Sequence, residues 1–143
     1  MAEKPSFRTS FKSRRCLVPV SGYYEWKREG NRKQPYYYTV KGEPLFALAG
    51  LSAEWRDREG NELRSFTVIT TEANALAAEV HDRMPVILGR GQEAAWLDGE
   101  ASPDELRALL RPFNPERMDA WLVSARVNSS AQNDTGLTTR VKA

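Results

Sequence analysis

The sequence predicts a single α+β domain over residues 1–143, with a mostly antiparallel, barrel-like β-sheet core and a few short flanking helices. Many short apolar or aromatic segments are separated by glycine-containing turns, a pattern typical of antiparallel strands. Only three short segments carry a helical pattern. A length of 143 residues, with 41% hydrophobic and 28% charged residues, suits one globular domain with a real core.

Most of the predicted strands lie in the first half of the chain. Residues 1–13 are polar and basic without periodicity, so we expect there either an extended arm or the tail of an element that begins upstream. Pro19 places its strand at a sheet edge, and Gly30-Asn31 and Gly60-Asn61 predict tight turns. The predicted strands are Cys16–Val20, Tyr23–Lys27, Pro35–Val40, Leu45–Leu51, Ser65–Thr70 and, late in the chain, Ala120–Ser124.

The helical segments follow the fifth strand. Apolar residues on one face predict a helix over Thr71–Val80, and Pro85 then breaks regular structure, which leaves His81–Met84 in a loop. Gln92–Leu97 predicts a short helix. A capping box at Ser102–Glu105 predicts another that runs to Leu110. Beyond residue 128 the chain is a polar tail.

Several classes of protein are excluded by composition. No stretch approaches the roughly 20 apolar residues that span a bilayer, and no signal peptide follows Met1. With Cys16 alone, the chain has no internal disulfide and no multi-cysteine zinc site, so we expect a cytoplasmic protein. No metal-binding motif, phosphate loop or Ser–His–Asp signature is present, and we expect no cofactor.

Positive charge is concentrated at the start of the chain. Residues 1–42 hold ten basic and three acidic residues, a net charge of +7, whereas the rest of the chain carries −5. Aromatic residues are interleaved with these cations. That combination is typical of a nucleic-acid surface, where cations contact phosphates and rings stack on bases. A solvated face beside ordinary core aromatics would give the same pattern.

Two residues are candidates for proton transfer. His81 is the one histidine of the chain, and its ordinary pKa near neutrality suits general acid–base work. Glu25 lies between Tyr24 and Trp26, and strand alternation sends those two rings to one face and the carboxylate to the other. The alternatives are a structural histidine at a helix end and a solvent-facing glutamate. Asp82 is positioned to orient the imidazole.

Cys16 has two interpretations. The preceding arginines would lower the pKa of its thiol and make it reactive. The apolar residues that follow favour a buried core thiol instead.

Two motifs together resemble those of one protein family. Residues 14–27 (RRCLVPVSGYYEWK) resemble the RCLVPADGFYEW segment of the SRAP family, the SOS-response-associated peptidase-like proteins that shield abasic sites. His81–Pro85 (HDRMP) matches the HxRMP loop of that family, and residues 123–128 give a weaker third match. The resemblance covers nearly the whole chain.

The resemblance implies a function in DNA-damage responses. Family members are implied to recognise abasic sites in single-stranded DNA and to crosslink to them through a cysteine that follows the initiator methionine. Lyase and autoproteolytic activities are implied as well. The same resemblance assigns catalytic roles to Glu25 and His81. It assigns DNA contacts to Trp26, Thr70, Arg83 and Arg8. Such a protein would be cytoplasmic and nucleoid-associated when bound to DNA, with no membrane contact.

The start of the chain departs from the family pattern. Ala2 follows Met1, and alanine offers no thiol for the implied crosslink. We therefore expect that the chain lacks the N-terminal segment that carries the nucleophilic cysteine. Two other functions remain open at this point: a catalytically silent module that binds single-stranded DNA, and a cysteine-type peptidase.

Overall fold

The computed structural model describes residues 11–128, which contain nine β-strands, two α-helices of eight and seven residues and a helical segment at residues 11–13. The strands are β1 (Arg15–Val20), β2 (Tyr23–Glu29), β3 (Arg32–Val40), β4 (Phe46–Arg56), β5 (Glu62–Val68), β6 (Thr70–Glu72), β7 (Arg83–Pro85), β8 (Ile87–Leu88) and β9 (Met118–Leu122). The helices are α1 (Arg90–Leu97) and α2 (Pro103–Leu109). Short 3₁₀ turns cover Ala77–Glu79, Pro115–Arg117 and Ala125–Asn128.

The strands form three small sheets. One has the order β1-β4-β5, with β8 also paired to β4; a second has the order β2-β3-β9; β6 and β7 form the third. The pairings of β2 with β3, β3 with β9, and β4 with β5 and β8 are antiparallel. The predicted α+β class with mostly antiparallel sheets and short helices is therefore confirmed. Within residues 11–128 these sheets do not close into a barrel.

Within this small domain the described chain divides into two compact units. The first comprises residues 11–19, 47–71 and 85–112. Its core is apolar and centres on the fully buried Trp96, whose indole N–H donates to the Cys16 carbonyl at 3.0 Å. The remaining buried members are Phe11, Ala49, Leu51, Ile69, Val86, Leu88 and Leu106. The predicted capping box is confirmed at the start of α2, where Ser102 Oγ accepts from the Glu105 N–H at 3.1 Å.

The second unit comprises residues 20–46, 72–84 and 113–128 of the described chain. Its core is more polar. Asn74 is buried with 8% of its surface exposed, and its side-chain amide donates to the Phe113 carbonyl at 2.8 Å. Tyr38 is fully buried, and Met84 and Met118 are nearly so. This unit contains the β2–β3 hairpin and the segment that leads to His81.

One predicted element is wrong, and one of the two alternatives for the start of the chain is ruled out. The segment predicted as a helix over Thr71–Val80 begins as strand β6 and ends in one 3₁₀ turn. The first residues of this segment pair with β7 instead, and Asn74 then caps the one turn that remains, because its Oδ1 accepts from the Ala77 N–H at 2.8 Å. Residues 11–13 are helical rather than extended, because Phe11 is buried edge-on against Trp96, with ring centroids 5.9 Å apart.

Other differences concern boundaries. Strand β4 continues past its predicted end at Leu51 to Arg56, because these residues pair with β5. Strand β7 begins at Arg83, within the predicted loop at His81–Met84. The late strand lies two residues earlier than predicted, because β9 pairs with β3 from Met118. The predicted polar tail lies beyond the described residues. None of the helices within residues 11–128 is long and apolar enough to cross a bilayer.

Candidate functional site

The β2–β3 hairpin is built around the turn at Gly30-Asn31. Gly30 has a φ of 63°, a conformation that glycine adopts without steric cost, and Glu29 pairs directly with Arg32. Positive φ at the first loop position is the pattern of a type II′ turn, whose twist suits a two-residue hairpin. This turn sets the register of every cross-strand pair in the hairpin.

One face of the hairpin carries a row of aromatic rings. Tyr24 packs against Trp26 and against the cross-strand Tyr37, with ring centroids 6.2 and 5.1 Å apart. Tyr37 in turn meets Trp121 of β9 at 5.6 Å. A Cβ atom at Gly22 would overlap the Tyr37 ring, so the glycine that precedes this strand is required by packing. Trp26 lies at one end of this row, where its indole packs against the Tyr24 ring.

The opposite face of the hairpin carries Glu25 with two phenols. Tyr23 and Tyr38 are paired across the strands and stack with ring centroids 5.0 Å apart. Among the described residues neither hydroxyl has a hydrogen-bond partner. Burial raises the pKa of both phenols, and the nearby charge of Glu25 raises them further. The alternation predicted for Tyr24, Glu25 and Trp26 is thus confirmed.

Glu25 is half-buried on the edge strand of its sheet. Its carboxylate accepts one weak bond from the N–H of its neighbour Trp26, at 3.4 Å. Because β2 is an edge strand, groups from both of its faces can meet a ligand that lies along the free edge. The carboxylate therefore remains available to take or give a proton.

His81 is held by the turn that follows β6. Its backbone N–H donates to the Ala77 carbonyl at 3.0 Å, and Ala77 is itself tied to the buried Asn74. The histidine thus lies directly after a 3₁₀ turn that a buried amide anchors. His81 therefore lies at a helix end, as expected if its role were structural. At this position its ring also lines a cleft.

The local bonds of the imidazole determine which nitrogen is free. Nδ1 accepts a bond from the Arg83 N–H at 3.1 Å, so in the neutral ring the proton lies on Nε2. Asp82 Oδ1 lies 3.3 Å from the same Nδ1, and this carboxylate is largely exposed. Nε2–H is therefore the group of the neutral ring that can donate a hydrogen bond to a ligand.

Glu25 and His81 line one open cleft, although they are far apart in the sequence. The cleft has a volume of about 270 Å³, below the 300–1,000 Å³ typical of small-molecule sites. Its walls combine an acid, an imidazole, an indole, two cations and one aliphatic side chain. The lining residues are Glu25, Trp26, Arg28, Lys33, Val80 and His81.

The other predicted contact residues have different positions. Of the described residues, six line the cleft and Arg83 is not among them; its backbone N–H holds the His81 ring. Thr70 is an exposed residue at the start of β6, in the first unit. Arg8 lies outside the described residues.

Besides Val80, sequence reasoning missed two lining residues, the cations Arg28 and Lys33. They lie directly opposite each other, one pair removed from the hairpin turn. The signal was present in the sequence, because a two-residue turn at Gly30-Asn31 pairs position 28 with position 33.

Cys16 is half-buried in β1, within the first unit. Burial raises the pKa of its thiol, which favours the interpretation as a core thiol. The adjacent Arg15 does not lower it, because that guanidinium bonds backbone carbonyls, including those of Trp96 and Asp98.

Comparison with known proteins agrees with the two sequence motifs. The family model of SRAP, described as SOS response associated peptidase, matches residues 1–130. The chain belongs to the SRAP family. The resemblance noted in residues 14–27 and in His81–Pro85 is thereby confirmed.

Relatives within the SRAP family come from bacteria and vertebrates. Abasic site processing protein YoqW of Bacillus subtilis (strain 168) is 44% identical over 139 residues, which are 96% of this chain and 62% of the relative. Abasic site processing protein HMCES of Xenopus tropicalis is 37% identical over 155 residues, covering 93% of this chain and 45% of the relative.

The fold is also shared with a crystal structure. A protein from Bacteroides thetaiotaomicron matches with a TM-score of 0.91 and 40% identity, over 99% of this chain and 62% of that one. The chain therefore spans about half to three fifths of the length of these SRAP relatives.

Proposed function

We propose that this chain is the part of an abasic-site processing protein that receives the damaged sugar of single-stranded DNA. The observation that carries the proposal is the convergence of Glu25, His81 and Trp26 on one cleft. The names of YoqW and HMCES as abasic site processing proteins support it.

Each group has a part in this proposal. Trp26 stacks on a base next to the damaged site, since every base offers a π-face. Glu25 moves a proton at the attacking amine. His81 shuttles a proton as the sugar ring opens: Nε2–H gives its proton to the ring oxygen, while Nδ1, which lies beside the exposed Asp82, takes one up from water. Positioned acid–base groups of this kind typically contribute roughly 10²–10⁴-fold to a rate.

The covalent chemistry of the whole protein belongs to the same proposal. In the whole protein, the α-amine and thiol of a cysteine after the initiator methionine condense with the aldehyde of the opened sugar to a stable thiazolidine. A polypeptide that begins Met1-Ala2 offers no such thiol. We expect it to form only a transient Schiff base, which borohydride traps.

A binding experiment tests the recognition step. Fluorescence anisotropy compares an abasic single-stranded oligonucleotide with its undamaged form and with a duplex. We expect tighter binding to single strands and a steep loss of affinity as salt rises, because phosphate contacts release counterions. Equal affinity for duplex, or binding that does not depend on salt, would contradict the proposal.

A gel experiment tests the chemistry. The polypeptide is extended at its N-terminus so that a cysteine follows the initiator methionine, and labelled abasic DNA is resolved on denaturing gels over time. We expect a heat-stable adduct that Glu25→Gln and His81→Gln each slow by at least about 10²-fold. Unchanged rates in both variants would make Glu25 and His81 structural residues, and the absence of any adduct would leave a silent binding module as the function.

A peptidase that uses Cys16 is the weaker candidate. The thiol is half-buried and burial raises its pKa, whereas a nucleophilic cysteine needs a lowered one. Cleavage of unrelated peptides that is lost in Cys16→Ser would reverse this conclusion.

A further inference from the structure

Two positive charges face each other at the end of the cleft where the hairpin turns. Arg28 of β2 and Lys33 of β3 are direct cross-strand partners, and both are exposed in the cleft. Like charges placed directly opposite each other destabilise a hairpin. An anion that contacts both side chains would be attracted by both charges.

Strand geometry relates this pair to Trp26. Residues 26 and 28 point to the same face of β2 and are separated by about 6.6 Å along the strand, given a rise of about 3.3 Å per residue. On β3, Pro35 pairs with Trp26 and Lys33 pairs with Arg28. An indole and a guanidinium at this spacing can contact the base and the phosphate of neighbouring nucleotides of one strand.

We propose that Arg28 and Lys33 bind a single phosphodiester of the DNA strand and thereby place the damaged sugar against Glu25 and His81. This inference rests on the proposed function and assigns a phosphate subsite within its cleft. The planar guanidinium suits two parallel bonds to phosphate oxygens, and the ammonium adds a point charge. Phosphate contacts of this kind set the register of a strand without reading its sequence.

The size of the cleft favours one phosphodiester over a longer contact. A volume of about 270 Å³ lies below the 300–1,000 Å³ typical of small-molecule sites, so most of a strand must lie outside the cleft. We therefore expect one phosphate to meet both cations at one position relative to the abasic site.

The test replaces one phosphate at a time with an uncharged methylphosphonate, on either side of the abasic site. Affinities for these oligonucleotides are measured by anisotropy for the unmodified chain, for Arg28→Gln and for Lys33→Gln. On the normal strand we expect each variant to bind roughly tenfold more weakly, as a charge-assisted bond to phosphate is lost. The slope of log affinity against log salt should fall by about 0.7.

The decisive result is non-additivity. At one methylphosphonate position, and only there, Arg28→Gln and Lys33→Gln should cause no further loss of affinity, because the charge they contact is already gone. The matched control is Lys27→Gln, which removes the same charge from the neighbouring position on the other face of β2. Its effect should be less than about twofold and should be the same at every methylphosphonate position.

The phosphate subsite would be overturned if Lys27→Gln and Arg28→Gln weakened DNA binding equally. It would also be overturned if the effects of substitution and of methylphosphonate on affinity were additive at every position. That failure is distinct from failure of the proposed function. If the unmodified chain binds abasic and intact strands equally while non-additivity persists, the subsite stands and the abasic-site proposal fails.

Discussion

Trp96 and Trp26 show how differently the two units use the same side chain. Trp96 is fully buried in the apolar core of the first unit, with its N–H satisfied by the Cys16 carbonyl. Trp26 is half-buried at the end of an aromatic row and lines an open cleft. One tryptophan holds the fold together and the other is available to a ligand.

Arginine shows the same contrast. The Arg15 guanidinium donates to the carbonyls of Trp96 at 2.7 Å and Asp98 at 2.8 Å, which are end groups of α1, and it lies over the Trp96 ring. Arg28 instead lines the cleft opposite Lys33. The basic character of the first 42 residues therefore divides between structural cations and cations that can meet phosphate.

The largest expected effect is on stability and separates the two tryptophans. Trp96→Ala should cost about 3–5 kcal/mol of unfolding free energy, because it leaves a large cavity in a packed core. Trp26→Ala should cost far less stability but weaken binding to single-stranded DNA. Urea unfolding of both variants makes the measurement. A greater loss of stability for Trp26→Ala would invert the comparison.

The two arginines provide the next test. Arg15→Met should cost about 2–3 kcal/mol, because helix-end carbonyls lose a charged donor that no other group replaces. Arg28→Met should leave the free energy of unfolding within about 0.5 kcal/mol, as usual for an exposed position. Urea midpoints at two salt concentrations check this. A stability loss in Arg28→Met would mean that its charge is structural.

The polar core of the second unit can be tested at Asn74. Asn74→Ala should cost about 2 kcal/mol, since the Phe113 carbonyl and the Ala77 N–H lose their partner. It should also slow any reaction that depends on His81, because Ala77 holds the histidine backbone. Asn114→Ala, which removes an exposed turn cap, is the control for folding. Slower chemistry in both variants would argue against a specific link to His81.

The smallest expected effect is a gain of stability. Tyr38→Phe should stabilise the chain by about 1 kcal/mol, because its buried hydroxyl has no partner among the described residues. Tyr24→Phe is the matched control and should be nearly neutral. Urea unfolding at neutral pH makes the comparison, and a clear loss of stability in Tyr38→Phe would show that the hydroxyl is bonded in solution.

The raised pKa values of Tyr23 and Tyr38 predict that the chain loses stability at alkaline pH. Burial raises the pKa of Tyr23 and Tyr38 above the ordinary value of 10, so at higher pH the unfolded chain gives up these protons first. Their contribution to stability is complete below pH 10 and is lost as the pH rises towards the folded pKa. Unfolding midpoints from about pH 9 to pH 11 should fall less steeply in Tyr38→Phe. If the midpoints of the unmodified chain and of Tyr38→Phe fell equally steeply with pH, the raised pKa of Tyr38 would be contradicted.

Much of the fold was predictable because its signals are local. The turn at Gly30-Asn31, the edge position of Pro19 and the cap at Ser102 each act within a few residues, and all three lie where predicted. The helix predicted over Thr71–Val80 failed because its first residues pair with strand β7, and the buried Asn74 that follows is held by the distant Phe113 carbonyl. A window of sequence over Thr71–Val80 contains neither of these partners.

The sequence by itself determined the family, through residues 14–27 and His81–Pro85, and the faces on which Glu25 and Trp26 lie, because strand alternation is a property of the backbone. Only the tertiary structure decided that Glu25 and His81 share a cleft and that Arg28 and Lys33 belong to it. It also decided that Arg15 is structural. The physical reason is that burial and hydrogen-bond partners depend on chain segments that are remote in sequence, and no local pattern specifies how those segments meet.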